Sequence, residues 1–151
     1  MLPKFVITLL ASAALTLSAA AALAQGTGTA AEAKAMVEKA VAAVKADKTK
    51  ALASFNAGTD GFKDRDLYPF CFNISDGLVV AGPASVMGKD TRTLKDASGK
   101  AFGDEIYKAA QDGNINEVSY MFPRPGQTEA VAKVSFVTKV ADLGCGVGYY
   151  K

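Results

Sequence analysis

Ala130-Val131-Ala132-Lys133-Val134-Ser135-Phe136-Val137-Thr138-Lys139-Val140 is followed, after Ala141-Asp142, by Leu143-Gly144-Cys145-Gly146-Val147-Gly148-Tyr149-Tyr150. Both runs are rich in β-branched and aromatic residues, and the first alternates. Val134, Phe136 and Val140 fall on one side, and Val131, Lys133, Ser135 and Val137 on the other. A two-residue connection makes the two runs an antiparallel pair. Immediately upstream, Asn116 to Phe122 alternates with Val118, Tyr120 and Phe122 on one face, and Pro123-Arg124-Pro125-Gly126 supplies the turn. Three strands with short connections therefore form the C-terminal third of the chain.

Working towards the N-terminus, Ala101 to Gln111 reads as a helix. Phe102, Ile106 and Ala109 lie on its buried side, Asp104 and Glu105 near its positive end, and Gly113 stops it. Gly82 to Lys100 is loop-like, with one helical turn expected at Ala84 to Met87. Asp66 to Ile74 alternates again, with Tyr68, Phe70 and Phe72 on one side. Ser75-Asp76-Gly77 signals a hairpin into a short strand, Leu78 to Ala81. Thr29-Ala30-Ala31-Glu32 fits a capping box. Met36, Val37, Ala40, Val41 and Val44 then recur at helical spacing, and Asp47 can cap a second helical piece ending before Gly58. Whether these pieces make one bent helix or two is open from the pattern. The order α–(α)–β–β–α–β–β–β implies an α+β domain whose antiparallel sheet is covered by helices.

Composition excludes several function classes. The chain has 151 residues, enough for one domain, with 17 Lys plus Arg against 15 Asp plus Glu and no histidine. Without histidine there is no Ser–His–Asp triad, no Cys–His pair and no imidazole metal ligand. A formal charge of +2 without a basic stripe argues against a nucleic-acid partner. Two cysteines cannot complete a zinc site or hold an iron–sulfur cluster. No cofactor or metal is expected, and the chain reads as a non-enzyme. Mean hydropathy is +0.14, and the excess has a local source. Met1 to Ala24 carries Lys4 as its only charge, an apolar run from Phe5, and Ala22-Leu23-Ala24 before Gln25. This is the pattern of a cleavable secretory signal peptide, with an uncleaved anchor as the rival reading. The destination is an oxidising, exported compartment, the periplasm. Residues 25–32 read as a mobile tail and the start of the first helix, and 33–151 as a single domain.

Several stretches resemble the single Cache domains of the second subfamily. They are Asp66-Leu67-Tyr68-Pro69-Phe70-Cys71-Phe72 with Asp76-Gly77 and Val80; Gly88-Lys89 leading to Leu94-Lys95-Asp96 and Gly99-Lys100-Ala101-Phe102; Tyr120 to Gly126; Lys133 to Val137; and Gly146 to Tyr150. The resemblance runs from about Ala33 to Lys151. It implies a PAS-like, five-stranded antiparallel sheet with a long N-terminal helix packed behind it. It also implies an extracytoplasmic sensor module that binds short organic acids between the sheet and the loop and helix over it. Only Lys151 follows the last strand, so the resemblance is to a free-standing exported form. Such a form would present its ligand to a membrane receptor or histidine kinase. A His–Pro pair common in the family is replaced here by Ala81-Gly82-Pro83.

Lys133 is the leading candidate for the site. Mid-strand, its ammonium must either reach water or meet an acceptor, and a ligand carboxylate would be that acceptor. The family, in which a lysine recurs at this place, favours the ligand reading. Tyr68, Phe70, Tyr120 and Phe122 either wall a small apolar pocket or are plain sheet core. Arg92 and Arg124 are alternative anion anchors. Cys71 and Cys145 either pair or remain as buried thiols. The family fold sets the first and last strands side by side, which favours a disulfide. Closing about 74 residues, it would be worth roughly 4 kcal/mol in the chain-entropy model. The expected partner is a small carboxylate. The alternative function is a ligand-free interaction or dimerisation module, a homodimer through its long helix.

Overall fold

The computed structural model describes residues 26–111 and 113–151. The expected signal peptide lies outside the described residues. The elements are α1 (Ala30–Ala46), α2 (Lys48–Ala57), β1 (Pro69–Asn73), β2 (Val79–Ala81), a 3₁₀ turn at Thr91–Thr93, α3 (Phe102–Ala109), β3 (Asn116–Pro123), β4 (Ala130–Val140) and β5 (Leu143–Tyr150). The strands form one antiparallel sheet in the order β2-β1-β5-β4-β3. The fold is α+β, as the sequence implied.

The leading helical segment is two helices. Thr29 and Glu32 close the capping box at the start of α1, each side chain accepting from the other's backbone N–H. Asp47 ends α1 and caps α2, its carboxylate accepting from Lys50 N–H at 3.0 Å. Its extended backbone, φ −160°, breaks the helix between them. Gly58 then closes α2 in the left-handed conformation, φ +66°. The buried stripe Ala33, Met36, Val37, Ala40 and Val44 packs on one sheet face, against Leu67, Cys71, Phe136, Leu143, Cys145 and Val147. Burying a side chain such as Val37, which is fully excluded from water, is worth about 1.5–3 kcal/mol.

On the other face α3 sets Phe102, Ile106 and Ala110 against Phe72, Val79, Val118, Tyr120 and Val137. The alternation of β5 makes this face different. Leu143, Cys145 and Val147 point towards α1, while Gly144, Gly146 and Gly148 leave bare backbone towards α3. Phe72, Phe70 and Lys133 lie over those three glycines, so a Cβ at any of them would collide. The glycine-rich strand thus gives long side chains from β1 and β4 room to lie across the middle of the sheet.

Three details differ from the sequence reading. β1 starts at Pro69, not Asp66, because Asp64 and Leu67 exchange backbone hydrogen bonds in a tight turn with Arg65 at φ +55°. The helical piece of the long loop is the 3₁₀ turn at Thr91–Thr93, capped by Asp90, whereas Pro83 to Met87 forms only a hydrogen-bonded turn. The segment before α1 is held rather than loose. Gly28 N–H donates to Asp66 Oδ1 at 2.6 Å, and Arg65 donates to the Thr27 carbonyl at 2.9 Å.

Candidate functional site: a buried lysine in an aromatic cage

Lys133 sits in β4, directly opposite Tyr120 of β3 and Tyr150 of β5. Its side chain lies on the α3 face and is 2% exposed. Its Nζ donates to Tyr68 Oη at 2.9 Å. It also lies 4.5 Å from the ring centroid of Tyr68, 4.8 Å from that of Tyr150 and 5.1 Å from that of Phe122. Three ring faces and one phenol oxygen therefore surround the ammonium, and among the described residues no carboxylate touches it. Aromatic faces attract a cation but do not replace its hydration. Burial accordingly pushes the Lys133 ammonium down to about 7, and the charge of Asp66 partly offsets this. Burial and the neighbouring Tyr150 and Tyr120 hold the Tyr68 phenol far above its ordinary range, so it stays neutral.

A cavity of about 40 Å³ opens beside Lys133. Tyr68, just before β1, and Phe70 of β1 reach it, as do Tyr120 and Phe122 from β3, Phe102 from α3 and Thr91 from the 3₁₀ turn. Phe102 stacks on Tyr120, with centroids 4.4 Å apart and planes within 2°. The Tyr120 hydroxyl pairs with Ser135 Oγ at 2.9 Å and is satisfied within the sheet. Thr91 is 3% exposed, and its hydroxyl is buried without a hydrogen-bond partner. Buried polar groups are normally satisfied, so an orphaned hydroxyl on a residue that lines a cavity beside a buried ammonium is a functional signal.

Five of the seven sequence candidates, Lys133, Tyr68, Phe70, Tyr120 and Phe122, line this one cavity. Arg124 lies outside it, on the β3–β4 turn. Its Nε is 3.8 Å from Asp66 Oδ2, and its guanidinium stands 5.2 Å from the Tyr150 ring centroid. Arg92 is also elsewhere, paired with Asp90 at 2.6 Å. Cys71 and Cys145 are register partners in β1 and β5 and form a disulfide. Sequence reasoning missed Thr91, Tyr150 and Asp66. Tyr150 had a signal, since the last residue of an alternating strand pairs across to mid-β4. Thr91 had none, because its place depends on how a long loop folds over the sheet.

A family model, single Cache domain 2, matches residues 8–150. The chain belongs to the single Cache domain 2 family. Solved structures of chemotaxis proteins and of a Cache chemosensory domain share the fold. A periplasmic sensor domain of a chemotaxis protein is 25% identical, with a TM-score of 0.64 over 88% of this chain and 99% of that one. A methyl-accepting chemotaxis protein from Vibrio parahaemolyticus RIMD 2210633 is 23% identical, with a TM-score of 0.64 over 79% of this chain and 86% of that one. A Cache chemosensory domain described for its carboxylic acid recognition is 21% identical, with a TM-score of 0.59 over the same shares. No curated protein matches the chain. Among the described residues, no helix of this Cache domain is long and apolar enough to cross a membrane.

Proposed function

We propose that this Cache domain is an extracytoplasmic sensor module that binds a short monocarboxylate against Lys133. We propose also that it is exported by its N-terminal segment and presents the ligand to a membrane receptor or kinase. The observation that carries the reading is the buried, carboxylate-free ammonium of Lys133 beside a cavity lined also by Thr91, whose hydroxyl is unpartnered. A carboxylate there would accept from Lys133 and Thr91 and neutralise the buried charge. A charge-assisted hydrogen bond of this kind is worth about 1.5–3 kcal/mol. Size supports a short acid. A water needs some 10–15 Å³ of such space, so about 40 Å³ holds roughly three water-sized groups. The aromatic walls suit a methyl or ethyl tail and offer no second cation for a dicarboxylate.

Thermal unfolding against mono- and dicarboxylates, amino acids and purines tests this. At a hundredfold excess over Kd, binding stabilises a protein by about 2.7 kcal/mol, a clear rise in Tm. Two- and three-carbon monocarboxylates should raise Tm. A panel in which none does would remove the proposal.

A further inference from the structure

A second, larger cleft lies on the outer side of the same aromatic wall. It has a volume of about 610 Å³, within the range of small-molecule sites. Tyr68, Pro83 and Phe122 line both spaces, so the outer cleft and the inner cavity adjoin along these residues. The C-terminal end of α2, the segment after β2 and the β3–β4 turn form its other walls.

Its chemistry differs from that of its neighbour. Its apolar floor includes Phe55 and Phe62, which pack edge to face with centroids 4.6 Å apart. Among the described residues, Lys63 and Arg124 are its only charged lining residues, and no carboxylate lines it. Arg124 forms one long ion pair, with Asp66 Oδ2 at 3.8 Å, and no hydrogen bond through its buried Nε. Among the described residues, neither the terminal nitrogens of Arg124 nor Lys63 has a hydrogen-bond partner. A guanidinium held by a tyrosine face presents its fork to a carboxylate.

We propose that the outer cleft is a second binding site, for a carboxylic acid carrying an aromatic or branched apolar body. The body lies on Phe62 and Phe122, and the carboxylate meets Arg124, with Lys63 adding a second positive charge at the rim. Such an acid is too large for the inner cavity, and this site does not depend on Lys133.

Calorimetric titration of the whole chain with phenylacetate and, separately, acetate tests the proposal. Phenylacetate should bind wild type and Lys133→Met alike. It should bind Arg124→Gln at least about tenfold more weakly, the loss expected for one charge-assisted contact. Lys63→Gln, a change at an exposed residue, should also weaken it and does not put the fold at risk. Amide shifts on phenylacetate addition should map to Ala57 to Lys63 and Gly126 to Thr128. No phenylacetate binding to wild type overturns the proposal. So does binding lost in Lys133→Met and unchanged in Arg124→Gln and Lys63→Gln. Phenylacetate binding without acetate binding would instead refute the inner site and leave the outer one standing.

Discussion

The Lys133 side chain crosses the sheet where Gly148 has no side chain, and a Cβ at 148 would overlap both Lys133 Cε and Ser135 Oγ. The pair is diagonal in the register, since Gly148 stands opposite Ser135 and Lys133 opposite Tyr150. The ammonium reaches Tyr68, which precedes β1, the strand two places from β4, only because this lane is empty.

Gly148→Ala should therefore displace Lys133 from its cage. Overpacking of this kind costs about 1–3 kcal/mol, and loss of ligand response should accompany the loss of stability. Chemical denaturation and calorimetry on the same variant check both. An alanine variant with wild-type stability and binding would show that the lane is not needed.

Lys133→Met should leave the ligand-free protein as stable as wild type or more stable. Methionine has similar length and carries no buried charge, and replacing a poorly compensated buried ion by an apolar group is often neutral or favourable. Denaturant melts give the comparison, and a loss of several kcal/mol would mean that the ammonium is structurally satisfied.

pH should separate the two variants further. The unfolded chain keeps lysine near its ordinary 10.5, while the folded chain releases the Lys133 proton at about 7. Above about 7 the unfolded state therefore binds more protons, and wild type should gain stability relative to Lys133→Met as pH rises towards about 9. Carboxylate affinity should move the other way, falling above 7 as the ammonium is lost. Parallel melts and titrations from acid to alkaline pH test both signs.

Asp66→Asn should lower the pH at which carboxylate affinity falls. The negative charge of Asp66 is what opposes the desolvation of Lys133, and asparagine keeps an oxygen for Gly28 N–H while removing the charge. An unchanged or higher midpoint in the calorimetric pH profile would show that Asp66 does not act on Lys133.

Reduction of Cys71–Cys145, or the Cys71→Ala/Cys145→Ala pair, should lower stability by about 2–5 kcal/mol, since the bond closes a 74-residue separation between neighbouring strands. Melts with and without reductant measure it, and coincident curves would contradict it.

The sequence already showed β4 and β5 to the residue, because alternation across a two-residue turn leaves no other register in which Phe136, Val140, Leu143 and Val147 share one buried face. Lys133 stood out for the same reason, as a charge on a strand whose neighbours are apolar. Less was visible at the entrance to β1, where Asp66 turns its carboxylate to Gly28, thirty-eight positions away. The position of Thr91 was invisible, since the loop that carries it is fixed by Gly103 of α3, which has no room for a Cβ against the Thr91 carbonyl. Local patterns report faces and turns. They do not report which distant segment closes a cavity.

The central claim is that the Lys133 ammonium is the anchor for a short carboxylate. Calorimetric titration of acetate and propionate into wild type and Lys133→Met at pH 6.5, just below about 7 where burial places the ammonium, tests it most directly. The account predicts one site per chain in wild type and at least about a tenfold loss in a variant that melts as cooperatively as wild type. Equal affinity in the two proteins would contradict it.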